Sequence, residues 1–213
     1  MKTDELINML ATGAAPIEPD AGVRRVALAL GWGLFGATLL MALLLGVRAD
    51  LAQALRLPMF WAKLGVPAVA TLAALQLARR LGLPGRGPGR ARLLLSALLL
   101  LAWTGAAAVL LAAAPEARAQ LIFGATWKTC PFNIALLSMP VFIGMFWAMK
   151  GLAPTRPALA GAAAGLLAGA AGAAVYALHC PEMAAPFLAI WYVLGMLIPA
   201  LLGALLGPRL LRW

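Results

Sequence analysis

Residues 161–172 read GAAAGLLAGAAG, and this stretch of glycine and alanine decides the fold class. It lies within an uncharged segment, 157–178, which is about as long as a helix must be to cross a bilayer. Gly161, Gly165 and Gly169 recur every fourth residue, so they share one helix face and let a second helix approach closely. The stretch therefore predicts a transmembrane helix packed inside a bundle.

Five more apolar runs of similar length accompany this one. The chain has 213 residues, of which 64% are hydrophobic and 11% charged, whereas soluble domains carry about 25% charged residues. The second run is the weakest, because Lys63, Pro67 and Gln76 interrupt it. The sequence predicts an all-α integral membrane bundle of six transmembrane helices. The predicted spans are 26–47, 61–78, 92–114, 131–149, 157–178 and 187–206.

The distribution of Lys and Arg predicts the orientation of the bundle. One side holds Arg48, Arg56, Lys63, Arg118 and Lys128, and the remaining 12 of the 17 basic residues lie on the other. Because cytoplasmic loops carry the excess of Lys and Arg, both termini are predicted to be cytoplasmic. The abundance of Arg, Ala and Gly is typical of a bacterial source. The expected location is a bacterial inner membrane, crossed several times.

The same charges argue against several functions. In a soluble protein a net charge of +10 suggests a nucleic-acid partner, but here the basic residues occupy short gaps between apolar runs. No acidic or basic residue falls at the centre of a predicted span, although proton relays and intramembrane catalysts use such residues. We therefore expect no enzyme activity, no cofactor and no direct contact with nucleic acid.

The N-terminal tail is the largest predicted cytoplasmic piece, and residues 3–12 have the pattern of a short amphipathic helix. Its apolar face holds Leu6, Ile7, Met9 and Leu10. Its polar face holds Asp4, Glu5, Asn8 and Thr12. So short a helix is marginal in water, so it packs on the membrane, on the bundle or on a partner. An acidic face is repelled by anionic lipid, which favours a partner groove that receives Leu6, Ile7 and Leu10.

The two cysteines, Cys130 and Cys180, are each followed by proline. Both are predicted at the outer boundary of the bundle, where the fourth span begins and the fifth span ends. In a bacterium that side faces the periplasm, where disulfides form and persist. Pro131 suits the first position of a helix, which makes Cys130 the N-cap, close to Lys128. We therefore expect the thiol of Cys130 to have a lowered pKa.

Three interpretations of the cysteine pair remain open. It forms a static disulfide that joins two helix ends, it senses oxidants or a soft metal, or the two cysteines are unrelated. His179, the single histidine, lies beside Cys180 and favours sensing, with Glu182 or Met183 as further metal ligands. The predicted sensing residues are therefore Cys130, Cys180 and His179, and the candidate metal ligands are the two cysteines.

Five segments together resemble the NrsF family, whose name abbreviates negative regulator of sigma-F. They are MKTDELINML at the start, the Cys-Pro opening of the fourth span, YALHCPE after the fifth, FLAIWY, and RLLRW at the end. The resemblance covers nearly the whole chain, and YALHCPE with its paired cysteines is the most specific part.

The resemblance implies an inner-membrane anti-sigma factor that sequesters an extracytoplasmic-function sigma factor. It also implies that periplasmic Cys130 and Cys180 respond to heavy metal or oxidative stress. The domains are then a cytoplasmic sigma-binding segment, 1–25, a six-helix transmembrane domain, 26–208, and a cytoplasmic tail, 209–213. The implied partners are the sigma factor, the lipid bilayer and a metal ion at the cysteines. The alternatives are a membrane transport or channel subunit with a periplasmic cysteine entry site, and a structural protein with a stapling disulfide.

Overall fold

The computed structural model describes residues 3–12 and 20–212, and this part of the chain is all-α, without strands. Six helices are long and apolar enough to cross a membrane, as the sequence predicts. The helices are α1 (Thr3–Ala11), α2 (Ala21–Leu44), α3 (Leu51–Ala54), α4 (Pro58–Leu81), α5 (Ala91–Ala112), α6 (Pro115–Phe123), α7 (Cys130–Met149), α8 (Pro157–Tyr176) and α9 (Ala185–Leu210).

Helix α8 is the central helix of the bundle, and most of its residues are buried. Its glycines face α9, as their spacing predicts. A Cβ atom added at Gly165 would overlap the carbonyl oxygen of Pro199, and one added at Gly169 would lie 2.6 Å from that of Met196. The two backbones are therefore in direct contact, and the glycines permit this close approach.

Helix α7 packs along α2 through a second set of glycines. A Cβ atom added at Gly33 of α2 would lie 2.7 Å from the Cα of Val141, and one at Gly144 of α7 would lie 2.9 Å from the carbonyl oxygen of Ala29. At the end of this seam Arg25 donates a hydrogen bond of 3.0 Å to the carbonyl oxygen of Trp147. Its guanidinium also lies over the Trp147 ring, 4.1 Å from the centroid. The two helices therefore contact each other along most of their length.

Helix α5 lies at the periphery, with few buried residues. Leu100, Trp103 and Leu111 are all exposed on it. Large exposed apolar side chains also cover the outer faces of α2, α4 and α9. Such a surface suits lipid rather than water, because apolar area in contact with water is unfavourable. The described part is thus organised as a multi-pass membrane protein.

The second span is longer than predicted, because the structure gives Pro58–Leu81 where the apolar run suggests 61–78. Lys63 weakens the sequence signal, yet its side chain is only 1% exposed and lies inside the bundle. The charge that appeared to mark an outer boundary is therefore an internal residue. Its hydrogen bonds, described below, explain how the bundle accommodates it.

Candidate thiol site

The two cysteines meet inside the bundle at one end, which we call the cysteine end. Cys130 is the first residue of α7, and Cys180 lies in the segment between α8 and α9. Both are free thiols, and both side chains are 0% exposed. The two residues belong to one buried cluster, and their sulfurs are close enough to share a hydrogen bond. The predicted pair is therefore brought together as neighbouring thiols.

The segment that carries Cys180 is held by backbone hydrogen bonds. The amide of Cys180 donates a bond of 3.0 Å to the carbonyl oxygen of Tyr176, which closes the last turn of α8. The amide of Arg48 donates to the carbonyl oxygen of Leu178 at 3.2 Å. The Arg48 side chain donates to the carbonyl oxygen of Cys180 at 3.2 Å. The loop after α2 thus fixes the end of α8.

Lys63 is a buried cation that contacts the segment carrying Cys180. Its Nζ donates to the carbonyl oxygens of Cys180, at 2.6 Å, and Glu182, at 2.7 Å. It also lies 5.7 Å from the centroid of the Tyr192 ring, within the range of a cation–π contact. The sequence predicts Lys63 only as one of the basic residues on the outer side of the membrane, and its contact with the segment that carries Cys180 is not predicted. Only its position within an apolar run signalled that it is unusual.

Two buried tyrosines, Tyr176 and Tyr192, lie beside the thiol pair. The rings of Tyr176 and Tyr192 lie 5.9 Å apart, and both residues are nearly fully buried. Tyr192 ends a π-helical turn, Leu188–Tyr192, within α9. Its hydroxyl lies beside the sulfur of Cys180 without a well-aligned hydrogen bond. A π-helical turn shifts the helix register, and such turns are frequent at functional sites.

The site favours the ionised form of Cys180. The hydrogen bond from Cys130 lowers the pKa of the Cys180 thiol to about 5, with a further contribution from the positive charge of Lys63, and these effects outweigh burial. The sequence predicts the activated thiol at Cys130, as an N-cap beside Lys128, and this prediction is wrong. In the structure Thr129 is the N-cap, and Lys128 is exposed over the ring of Trp127. Cys130 instead acts as the hydrogen-bond donor, so the activated sulfur is that of Cys180.

Two other residues predicted as metal ligands, His179 and Glu182, form hydrogen bonds with backbone groups. Nδ1 of His179 lies 2.9 Å from the carbonyl oxygen of Gly46. The carboxylate of Glu182 accepts a bond of 2.7 Å from the amide of Ala125. Within residues 3–12 and 20–212, no group of three or more His, Cys, Asp and Glu side chains is arranged to hold a metal ion. The geometry therefore brings together the two thiols but not a larger ligand set.

The predicted anchors of the N-terminal helix lie on the surface. Leu6 is 38% exposed, Ile7 57% and Met9 62%. The side chain of Leu10 lies outside the described residues, although its backbone belongs to α1. The apolar face of α1 is thus open at two of its three predicted anchors.

Six membrane-crossing helices around a buried pair of thiols define a multi-pass membrane protein with a dithiol site. Residues 10–213 match the family model described as negative regulator of sigma F, and the chain belongs to this family, NrsF. It is 54% identical over 213 residues, the full length of both chains, to the probable anti-sigma-F factor NrsF of Azospira oryzae. It is 40% identical over 215 aligned residues, again the full length of both, to the anti-sigma-F factor NrsF of Caulobacter vibrioides.

These comparisons confirm the family that the sequence motifs indicate. The relatives are anti-sigma factors, which are regulatory proteins and not enzymes. No solved structure matches the chain. The description of the thiol site therefore rests on the geometry of this chain.

Proposed function

We propose that this chain is a membrane-bound anti-sigma factor that releases its sigma factor when the Cys130–Cys180 pair is oxidised. The observation that carries the proposal is the contact between two thiols distant in sequence, in a chain related over its full length to anti-sigma-F factors. The partner is a sigma factor of the extracytoplasmic-function type. The excess of basic residues puts both termini in the cytoplasm and the thiols on the periplasmic side of the inner membrane.

The N-terminal segment supplies the sigma-binding surface. Leu6 and Ile7 are exposed on α1, and the acidic residues Asp4 and Glu5 lie in its first turn. A helix with an apolar stripe and an acidic edge complements a groove that has an apolar floor and a basic rim. Docking the helix there keeps the sigma factor at the membrane and away from RNA polymerase.

Helices α7 and α2 connect the thiols to this segment. Cys130 begins α7, and the other end of α7 holds Arg25 of α2 through Trp147. Helix α2 begins at Ala21, so it follows the N-terminal segment directly in the chain. Because the seam between the two helices is tight, a shift of α7 at Cys130 moves α2 rather than being absorbed between them.

A hundredfold loss of affinity for the sigma factor needs a coupling free energy of only about 2.7 kcal/mol. A disulfide typically changes the free energy of unfolding by about 2–4 kcal/mol, which is of the same order as this coupling. A single oxidised pair is therefore sufficient to bias a bundle that has two packing arrangements. A soft metal ion at the thiols is a second candidate signal, because thiolates select such ions.

Co-purification from solubilised membranes tests the docking surface. We expect the sigma factor to accompany the wild-type chain and to be lost from the Leu6→Glu/Leu10→Glu variant, because charge on the apolar face prevents burial in a groove. The matched control is Asn8→Glu/Thr12→Glu, which adds the same charge on the polar face and should retain the partner. Mass spectrometry of the purified material identifies what is bound.

Two results would contradict this proposal. Retention of the sigma factor by the Leu6→Glu/Leu10→Glu variant would exclude docking through this face. Absence of the sigma factor from every sample, with its expression verified, would favour the alternative of a transport or channel subunit. That alternative predicts inducible flux across the membrane and no effect of the tail substitutions.

A further inference from the structure

Lys63 occupies an unusual environment for a lysine. Its side chain is 1% exposed, and its Nζ donates to two backbone carbonyl oxygens on either side of Pro181. A buried ammonium group normally requires an anionic partner, because removing the charge from water is costly. Carbonyl oxygens satisfy its hydrogen bonds but carry no net negative charge.

The nearby carboxylates are engaged elsewhere. Arg48 donates two hydrogen bonds of 2.7 Å to the two carboxylate oxygens of Asp50, and this bond lowers the pKa of Asp50. The Glu182 carboxylate binds the amide of Ala125. In the described residues no Asp or Glu oxygen lies within 4 Å of the Lys63 ammonium group. The sulfur of Cys180 is an ionisable group that acts on Lys63, so it can supply a compensating charge.

We propose that Lys63 is a positioning residue for the thiol pair, holding the segment 180–182 by two carbonyl oxygens and compensating negative charge on the Cys180 sulfur. This inference deepens the proposed thiol sensing and rests on it. The other groups that face Cys180 are the donor Cys130 on α7, Tyr176 on α8, Tyr192 on α9 and Arg48. Arg48 is already neutralised by Asp50, and the other three are uncharged in the resting state.

Oxidation changes the charge of this site. The Cys180 thiolate and the Cys130 thiol react with hydrogen peroxide to give a disulfide, one water and one hydroxide. The two sulfurs lose two electrons to the peroxide, the O–O bond breaks, the S–S bond forms, and the proton of Cys130 leaves with the water. No negative charge remains on the pair, while the Lys63 ammonium group is still buried.

A buried cation without compensation is unfavourable, so the oxidised site favours movement of α4 or of the segment 180–182. Lys63 therefore stabilises the reduced state relative to the disulfide. This converts a chemical change at the sulfurs into a force on a transmembrane helix. The reduction potential of the pair reports this directly, and its measurement does not require a sigma factor.

The test is equilibration of the purified full-length chain, in lipid nanodiscs, with glutathione buffers of defined ratio. Oxidised glutathione accepts the same two electrons from the pair, and the disulfide fraction is read by mass spectrometry after alkylation. For Lys63→Met we expect at least a tenfold shift toward the disulfide, which is about 30 mV for a two-electron couple. Lys63→Arg keeps the charge and should remain close to wild type.

The sign of the shift separates this role from a purely structural one. A segment that is merely loosened holds the sulfurs apart and disfavours the disulfide. An unchanged potential in Lys63→Met, or a shift toward the thiols, would overturn the proposal. If Lys63→Met does not fold, Lys63→Gln provides an uncharged hydrogen-bond donor, and its comparison with Lys63→Arg gives the same test. The failure of sigma-factor binding in the co-purification leaves this measurement unaffected.

Discussion

At the residue scale, the two thiols are chemically unequal. The interaction between the two sulfurs lowers the pKa of Cys180, which lies in the segment that Lys63 holds by two hydrogen bonds. A thiolate, not a thiol, reacts with oxidants and soft metals. In the proposed sensing, Cys180 is therefore the nucleophile that attacks the oxidant first, and Cys130 then attacks the oxidised sulfur to form the disulfide.

Substitution of Cys130 tests this asymmetry, because Cys180 is then the single thiol of the chain. Cys130→Ser retains a donor, and we expect Cys180 to stay ionised at neutral pH, in line with its pKa of about 5. Cys130→Ala removes a hydrogen bond to a charged group, worth about 1.5–3 kcal/mol, and should raise the pKa by about one to two units. The ultraviolet absorbance of the thiolate, followed against pH, gives both values.

The sign of the associated stability change follows from the same pKa. Because the folded protein lowers the pKa of Cys180 from 9.0 to about 5, this group stabilises the fold above pH 9 and loses that contribution as the pH falls through 5. Equal pKa values in the Ser and Ala variants would contradict the role assigned to Cys130.

The sequence predicted the thiols but not their surroundings. Cys130 and Cys180 could be paired because the span order puts both at one boundary of the bundle. Lys63 could not be assigned to them, because its partners are backbone carbonyl oxygens, which leave no pattern in a sequence. The same holds for His179, whose neighbour Gly46 lies far away along the chain. Because His179 is next to Cys180 in sequence, it was predicted as a metal ligand. In the folded chain its ring contacts the carbonyl oxygen of Gly46 instead.

At the element scale, α8 and α9 meet in direct backbone contact. The glycines of α8 lie against the backbone of α9, so there is no room for even one methyl group. Interfaces of this kind depend on van der Waals packing, because lipid provides no hydrophobic drive between helices.

A pair of glycine substitutions measures this dependence. Gly165→Ala would push α8 against Pro199, and we expect a loss of about 1–3 kcal/mol in stability through overpacking. Gly105→Ala in α5 meets no atom within 4 Å, so it should be neutral or stabilise by about 0.5–1 kcal/mol. Thermal unfolding in detergent compares the two. Equal midpoints would show that the α8–α9 contact has little energetic weight.

The apolar pattern of the sequence predicts where the spans lie but not every detail of their helical geometry. Length and scarcity of charge located all six, although Lys63 interrupts the second, and the four-residue glycine spacing identified the packed face of α8. The π-helical turn in α9 was not predictable, because LAIWY is an ordinary apolar run and no breaker residue marks the change of register. The segment FLAIWY contributed to the family resemblance, and in the structure its last residue, Tyr192, lies beside Cys180.

At the scale of the whole molecule, the thiol pair and the start of α2, which follows the N-terminal segment in the chain, lie at opposite ends of α7. Cys130 begins α7 at the cysteine end, and Arg25 contacts Trp147 at the other end, next to the N-terminal segment. The sequence predicts both regions but contains no pattern that connects them. The route proposed here follows the glycine seam of α2 and α7, which appears only when the helices are assembled.

The most direct test of the central claim is oxidant-driven release of the sigma factor from the purified complex in nanodiscs. The wild-type complex should lose its sigma factor on treatment with hydrogen peroxide, and reductant should restore binding. The Cys180→Ser variant should bind the sigma factor normally and keep it under the same treatment. Treatment of both complexes with cadmium in place of peroxide tests for a metal signal. Full release from the Cys180→Ser complex by either agent would contradict sensing at this pair.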